Sequence, residues 1–151
     1  MIAPVALGVF GLQAALMLVD EFHFHHQRRL PRWERIGHPL DTLSVLACYA
    51  MTLVLSPGER ELAVFAAAAA FSCLFITKDE IVHAKVCGPG EHWLHAALFV
   101  LHPIALGLAA WLWARGGHRM LLVGQTALTS AFGLYQTVYW NRPWQRPSLD
   151  R

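Results

Sequence analysis

The sequence predicts an all-α integral membrane bundle of five transmembrane helices, and three observations carry that expectation. The 151 residues are 56% hydrophobic and only 15% charged, with a mean hydropathy of +0.39. Soluble domains carry about 25% charged residues, so the bulk of this chain suits lipid better than water. Five apolar runs recur along it, at residues 2–19, 39–55, 62–76, 93–113 and 120–140. No segment alternates apolar and polar residues with the two-residue period of a strand.

A bilayer crossing takes about 20 mostly apolar residues, with a range of about 17–25. The first, fourth and fifth runs reach that length alone. The second and third reach it when their polar ends are counted as helix. The expected spans are about 2–26, 38–55, 61–87, 91–114 and 119–140, in a single domain over 1–151 with residues 141–151 as a tail. The first run does not read as a secretory signal. It lacks a basic start, and Asp20-Glu21 stands where a small-residue cleavage motif would fall.

Ser56-Pro57-Gly58, Gly88-Pro89-Gly90 and Gly116-Gly117 separate the later runs, while Pro31 and Pro39 frame PRWERIG between the first two. Short breaks of this kind imply up-down connectivity. Cys48, Cys73 and Cys87 show neither CxxC spacing nor an even count, so no disulfide framework is expected. Cys48 and Cys73 read as small apolar packing residues. Cys87 lies one helical turn after His83, close to the polar clusters.

Five crossings put the termini on opposite sides. Nine of the twelve Lys and Arg (Arg28, Arg29, Arg32, Arg35, Lys78, Lys85, Arg142, Arg146, Arg151) then share one side, against Arg60, Arg115 and Arg119 on the other. The positive-inside rule makes the rich side cytoplasmic, with the N-terminus outside and the C-terminus inside. Trp111 and Trp113 mark one interface, and Trp140 and Trp144 the other. Arg28, Arg29, Arg32 and Arg35 are placed to contact anionic headgroups. Membrane lipid is the expected partner. A net charge of +2 gives no reason to expect nucleic acid.

Residues 20–41 and 79–95 hold seven of the nine histidines and seven of the ten acids. They fall at the ends of runs one and three and the starts of runs two and four, at one depth on the basic side. Ionisable groups beside membrane-length apolar runs are costly, which makes them functional candidates. Carboxylate with imidazole is the ligand set of iron, manganese and zinc.

The two stretches read as an approximate two-unit repeat, spans one and two against spans three and four, with the fifth helix added. Asp20-Glu21 corresponds to Asp79-Glu80, His25 to His83, and Glu34-x-x-x-His38 to Glu91-x-x-x-His95. Both turns lie on the same side, as in parallel repeats. The candidate metal ligands are Asp20, Glu21, His23, His25, His38, Asp41, Glu80, His83, Glu91 and His95. Glu34, Asp79, His92 and His102 are expected behind them, orienting ligands.

Span one leaves its ligand face open. Asp20 and His23 share a face with Gln13, while Glu21 and His25 share another. Tyr135, Gln136 and Tyr139 lie at the same depth on the fifth run, where they line a substrate or proton path or serve as an aromatic belt. His26 reads as an interfacial residue and His118 as a loop residue on the far side. A charge network without metal is the alternative for the whole set.

Glu80-x-x-His83, with Asp20-x-x-His23 as its shorter-carboxylate version, resembles the ligand pattern of carboxylate-bridged di-metal helix bundles. There two helices supply Glu and two others Glu-x-x-His, all pointing inward. The resemblance covers the ligand positions alone, and this chain has more histidine. His23-Phe24-His25-His26 is one residue short of the HxxHH box of membrane fatty-acid desaturases and hydroxylases, so the chain is not placed in that family. The resemblance implies two transition-metal ions, iron ahead of zinc or manganese. The expected function is an oxidoreductase with an electron donor, and the location of the site beside the bilayer points to a lipid or other apolar substrate.

Two other functions are carried beside it. A membrane zinc hydrolase needs three ligands and an open water position. A metal-ion transporter or sensor needs a polar path, for which the outer halves offer little beyond Gln13, Thr52, Gln125 and Thr126. Haem between facing histidines fits poorly with so many carboxylates.

Overall fold

The computed structural model describes residues 2–28 and 30–142. It is all-helical, 91% helix with no strand among the described residues, in five rods. These are α1 (Ile2–His25, followed by the short turn His26–Arg28), α2 (Arg32–Val54), α3 (Glu59–Val86), α4 (Pro89–Arg115) and α5 (Arg119–Trp140). Two of the four headgroup arginines, Arg32 and Arg35, are fully described. Arg29 and the side chain of Arg28 lie outside the described residues, as does the tail from residue 143; Arg32 is exposed and Arg35 half-buried.

The breaks follow from local chemistry. Gly88 is extended and Pro89 takes the first helical position of α4, where a missing N–H costs nothing. Gly116 (φ 67°) and Gly117 (φ 83°) end α4 in a conformation that side chains with a Cβ rarely adopt. The indole of Trp113 donates to the Leu55 carbonyl at 3.0 Å, tying the end of α2 to the end of α4.

α2 packs most extensively against α5, and α1 against α4; α3 lies against both α2 and α4. The half of the bundle away from the polar clusters has an apolar core that includes Phe10, Tyr49, Phe65, Leu106, Leu112, Trp113 and Leu122. Ala105 and Ala109 keep that seam narrow.

α1, α3 and α4 are long and apolar enough to cross a membrane. Only 17% of the most apolar window of α1 and 11% of that of α3 are buried, so Leu7, Val64, Phe71 and Leu74 point away from the core. α2 and α5, with 23 and 22 residues, have the length but are less apolar. They carry inward polar groups: Thr42 and Thr52 on α2, Gln125, Thr129 and Gln136 on α5.

Two irregular turns position the site. α1 is α-helical to Val19 and π-helical over Asp20–His25. α3 tightens into a 3-10 turn over Ile76–Asp79 before its last segment, Glu80–Val86.

Candidate metal centre

The ends of α1 and α3 meet the starts of α2 and α4. Asp20, Glu21, His25, Glu34, Asp79, His83, Glu91 and His95 are buried there, with His38 and Asp41 half-buried among them. Glu34 has 0% exposure, in a chain with few charges to match it.

The π-helical turn resolves which face of span one points inward. Bonding from i to i+5 stacks residues five apart. His25 Nε2 accordingly lies 3.2 Å from Asp20 Oδ2, and His25 Nδ1 lies 3.4 Å from Glu21 Oε2. Both candidate faces therefore contribute. The two stretches differ in spacing at this point. Asp20 to His25 is five residues, whereas Asp79 to His83 is four, and the wider turn takes up the extra residue.

The contacts run crosswise between the two halves of the chain. His95 Nε2 lies 3.1 Å from Asp20, while His38 groups with Asp79 and Asp41. His25 Nε2 lies 3.9 Å from Glu91, and His83 Nε2 lies 3.7 Å from Glu34. Each corresponding pair joins the first helix of one half to the second helix of the other.

Four imidazoles close a ring inside these carboxylates. Centroid distances are 4.8 Å for His25–His38, 6.2 Å for His38–His83, 4.2 Å for His83–His95 and 6.5 Å for His95–His25.

Two groups of donor atoms within 4.8 Å of one another are central to the site. They are Asp20, His25, Glu91 and His95, all buried, and His25, Glu34 and His38. Cys87 joins His83 and His95 in a third such group. His38 Nε2, Asp79 Oδ1 and His95 Nδ1 are buried without a hydrogen-bond partner among the described residues. Lone pairs left in this state favour a cation among them. The residues therefore fit transition-metal ions: borderline nitrogen and hard oxygen donors, held by packed helices.

Residues 20–41 and 79–95 also differ in their contacts. Trp140 on α5 donates to Glu21 Oε1 at 2.6 Å, whereas Glu80 lies at the surface beside His92, 3.6 Å from its Nδ1. α5 has no counterpart that would hold Glu80 inside. Lys78 donates to Asp41 at 2.6 Å and to Asp79 at 3.1 Å, placing a cation beside the group of His38, Asp41 and Asp79.

Among the expected ligands, His23 and Glu80 are not brought to the cluster. His23 faces outward and bonds Gln27 at 3.2 Å. Glu34 and Asp79, expected behind the ligands, lie among them. His102 lies deeper in the bundle on Ser72, at 3.0 Å. His92 stays half-exposed. Tyr135 and Tyr139 surround His26, through a 2.8 Å hydrogen bond and a stacked ring respectively, and Gln136 takes a 2.8 Å hydrogen bond from Thr42. The repeat carried the signal for Glu34, since its ExxxH partner Glu91 was already a candidate. Nothing local in the sequence signals Trp140 or Lys78.

A cavity of about 260 Å³ adjoins the cluster, bordered by Asp20, His25, His38 and His95 at one end and by Met17, Leu98, Phe99, Leu128 and Phe132 along its walls. The chain matches no protein-family model, no curated protein and no solved structure.

Proposed function

We propose that this chain is a membrane-embedded di-metal protein with two transition-metal ions, iron first. In this reading it is an oxidoreductase for a lipid or other apolar substrate. The observation that carries it is the crosswise pairing: Asp20–His95 with Asp79–His38, and His25–Glu91 with His83–Glu34. Two equivalent half-sites from a two-unit repeat suit two ions better than one.

Charge supports the same reading. Asp20, Glu21, Glu34, Asp41, Asp79 and Glu91 are buried or half-buried, and the described side-chain cations among them are Lys78 and half-buried Arg35. A divalent cation among these carboxylates would lower the cost of burying them.

A bound iron pair would supply one-electron and dioxygen chemistry. The chain's own residues hold the donors in place: Trp140 fixes Glu21, and Glu21 orients the ring of His25. The apolar cavity holds the substrate against the cluster and limits water there. Dioxygen serves as oxidant, and a separate donor supplies electrons. The outward apolar faces of α1, α3 and α4 support an integral membrane placement, and the basic end is assigned to the cytoplasm.

Elemental analysis of chain purified without added metal tests the centre. About two transition-metal ions per chain are expected, and fewer than about one refutes it. Zinc without iron would move the reading to the hydrolase. Cysteine labelling of Arg32→Cys tests the sidedness: modification only from outside overturns it.

A further inference from the structure

A hydrogen-bond chain in which every proton can be placed runs from Ser44 through Ser72 to His102 and Gln13, which border the cavity. Ser44 Oγ donates to the Asp41 carbonyl at 2.7 Å, which uses its one hydrogen. At its 2.7 Å contact with Ser72, Ser44 therefore accepts and Ser72 donates. Ser72 has then spent its hydrogen too, so at 3.0 Å it accepts from Nε2–H of His102. The other nitrogen of that neutral ring is an acceptor. The Gln13 amide accordingly turns its NH2 to His102 Nδ1, at 3.4 Å.

The chain ends on one atom. Gln13 Oε1 is a buried carbonyl oxygen with no hydrogen-bond partner among the described residues, on a side chain of 8% exposure that borders the cavity. The amide cannot simply be reversed, because the proton order from Asp41 onward fixes which end faces His102.

We infer that the cavity binds an apolar molecule carrying one hydroxyl or N–H donor, and that Gln13 Oε1 accepts that donor. The inference rests on the reading of this cavity as the substrate pocket of the proposed centre, and it names the substrate class. Gln13 lies two helical turns from Asp20 on α1, and His102 two turns from His95 on α4. Two turns span about 10 Å along each helix axis. The polar group therefore docks remote from the centre, and a chain-like substrate presents atoms far from its own polar group to the metals.

The test uses the full chain in lipid nanodiscs and three probes of equal length: a medium-chain primary alcohol, its methyl ether and the alkane. Binding is read by NMR titration of fluorine-labelled probes. The wild type should bind the alcohol roughly tenfold tighter than the ether, the usual consequence of leaving a buried acceptor unmet. In Gln13→Leu that ratio should fall to about one, with apolar binding kept.

Ser44→Ala gives an independent route should Gln13→Leu fail to fold. Its loss lets Ser72 donate to His102 Nε2, which permits the other tautomer and turns the Gln13 NH2 toward the cavity. The preference for the alcohol should fall here too. Equal binding of alcohol and ether by the wild type, or an unchanged preference in a folded variant, overturns the inference. Metal content is measured on the same samples. A metal-free chain that still prefers the alcohol removes the metal centre and leaves Gln13 its role; a metal-replete chain without the preference does the reverse.

Discussion

Replacing Trp140 with phenylalanine isolates the contribution of α5 to the centre. Trp140 is 2% exposed, and its indole N–H meets Glu21, itself 1% exposed, at 2.6 Å. Phenylalanine keeps most of the ring packing on His26 and Tyr139 but removes the donor. Neutral cross-helix hydrogen bonds in a bilayer average about 0.6 kcal/mol. A short bond to a buried carboxylate stands above that, and losing it leaves the acceptor short of a partner. A destabilisation of about 1.5–2 kcal/mol follows, or roughly a 10- to 30-fold change in the unfolding equilibrium. Unfolding in mixed micelles, with a double-mutant cycle against Glu21→Gln, measures the pair directly. A coupling energy below about 0.5 kcal/mol would show that the contact contributes nothing particular and that Glu21 is held by other groups.

Other perturbations separate the remaining parts. Asp20→Asn and Asp79→Asn should each lower bound metal from about two ions to about one per chain, and the double variant further; a loss of both ions from either single change would point to one shared cluster rather than two half-sites. His95→Ala and His83→Ala should release metal on elemental analysis, while His23→Ala, at the surface, should retain the wild-type content. Gly133→Ala places a Cβ 2.8 Å from Thr42 Cγ2, where α5 packs against α2, and should cost about 1–3 kcal/mol in the same unfolding assay; a neutral result would mean that Thr42 and the helices yield freely there.

Much of this was readable along the chain. Most helix positions followed from run length and from the Pro and Gly breaks, because both act locally; α2 is the exception, since it starts at Arg32 and carries Pro39 inside it. Histidine and acid spacing marked the four helix ends that meet. The ligand assignments were less complete, because periodicity assumes a regular α-helix. An i, i+3 spacing paired Asp20 with His23, but the π-helical turn stacks Asp20 under His25 and leaves His23 outside. Glu80 carried the literal Glu-x-x-His motif, yet it faces the surface, since the preceding 3-10 turn brings Asp79 inward instead.

Composition and pattern by themselves determined the helical class, the five rods and the ends where ionisable groups collect, since hydropathy and turn chemistry depend on neighbours in sequence. Only the tertiary structure decided which half of the chain each ligand answers to. The crosswise pairs, Trp140 on Glu21 and Lys78 on Asp41 all join residues from different helices. So does the proton chain ending at Gln13, which crosses α2, α3, α4 and α1. Such pairings depend on how the rods pack and where a helix widens by one residue, and no local spacing encodes either.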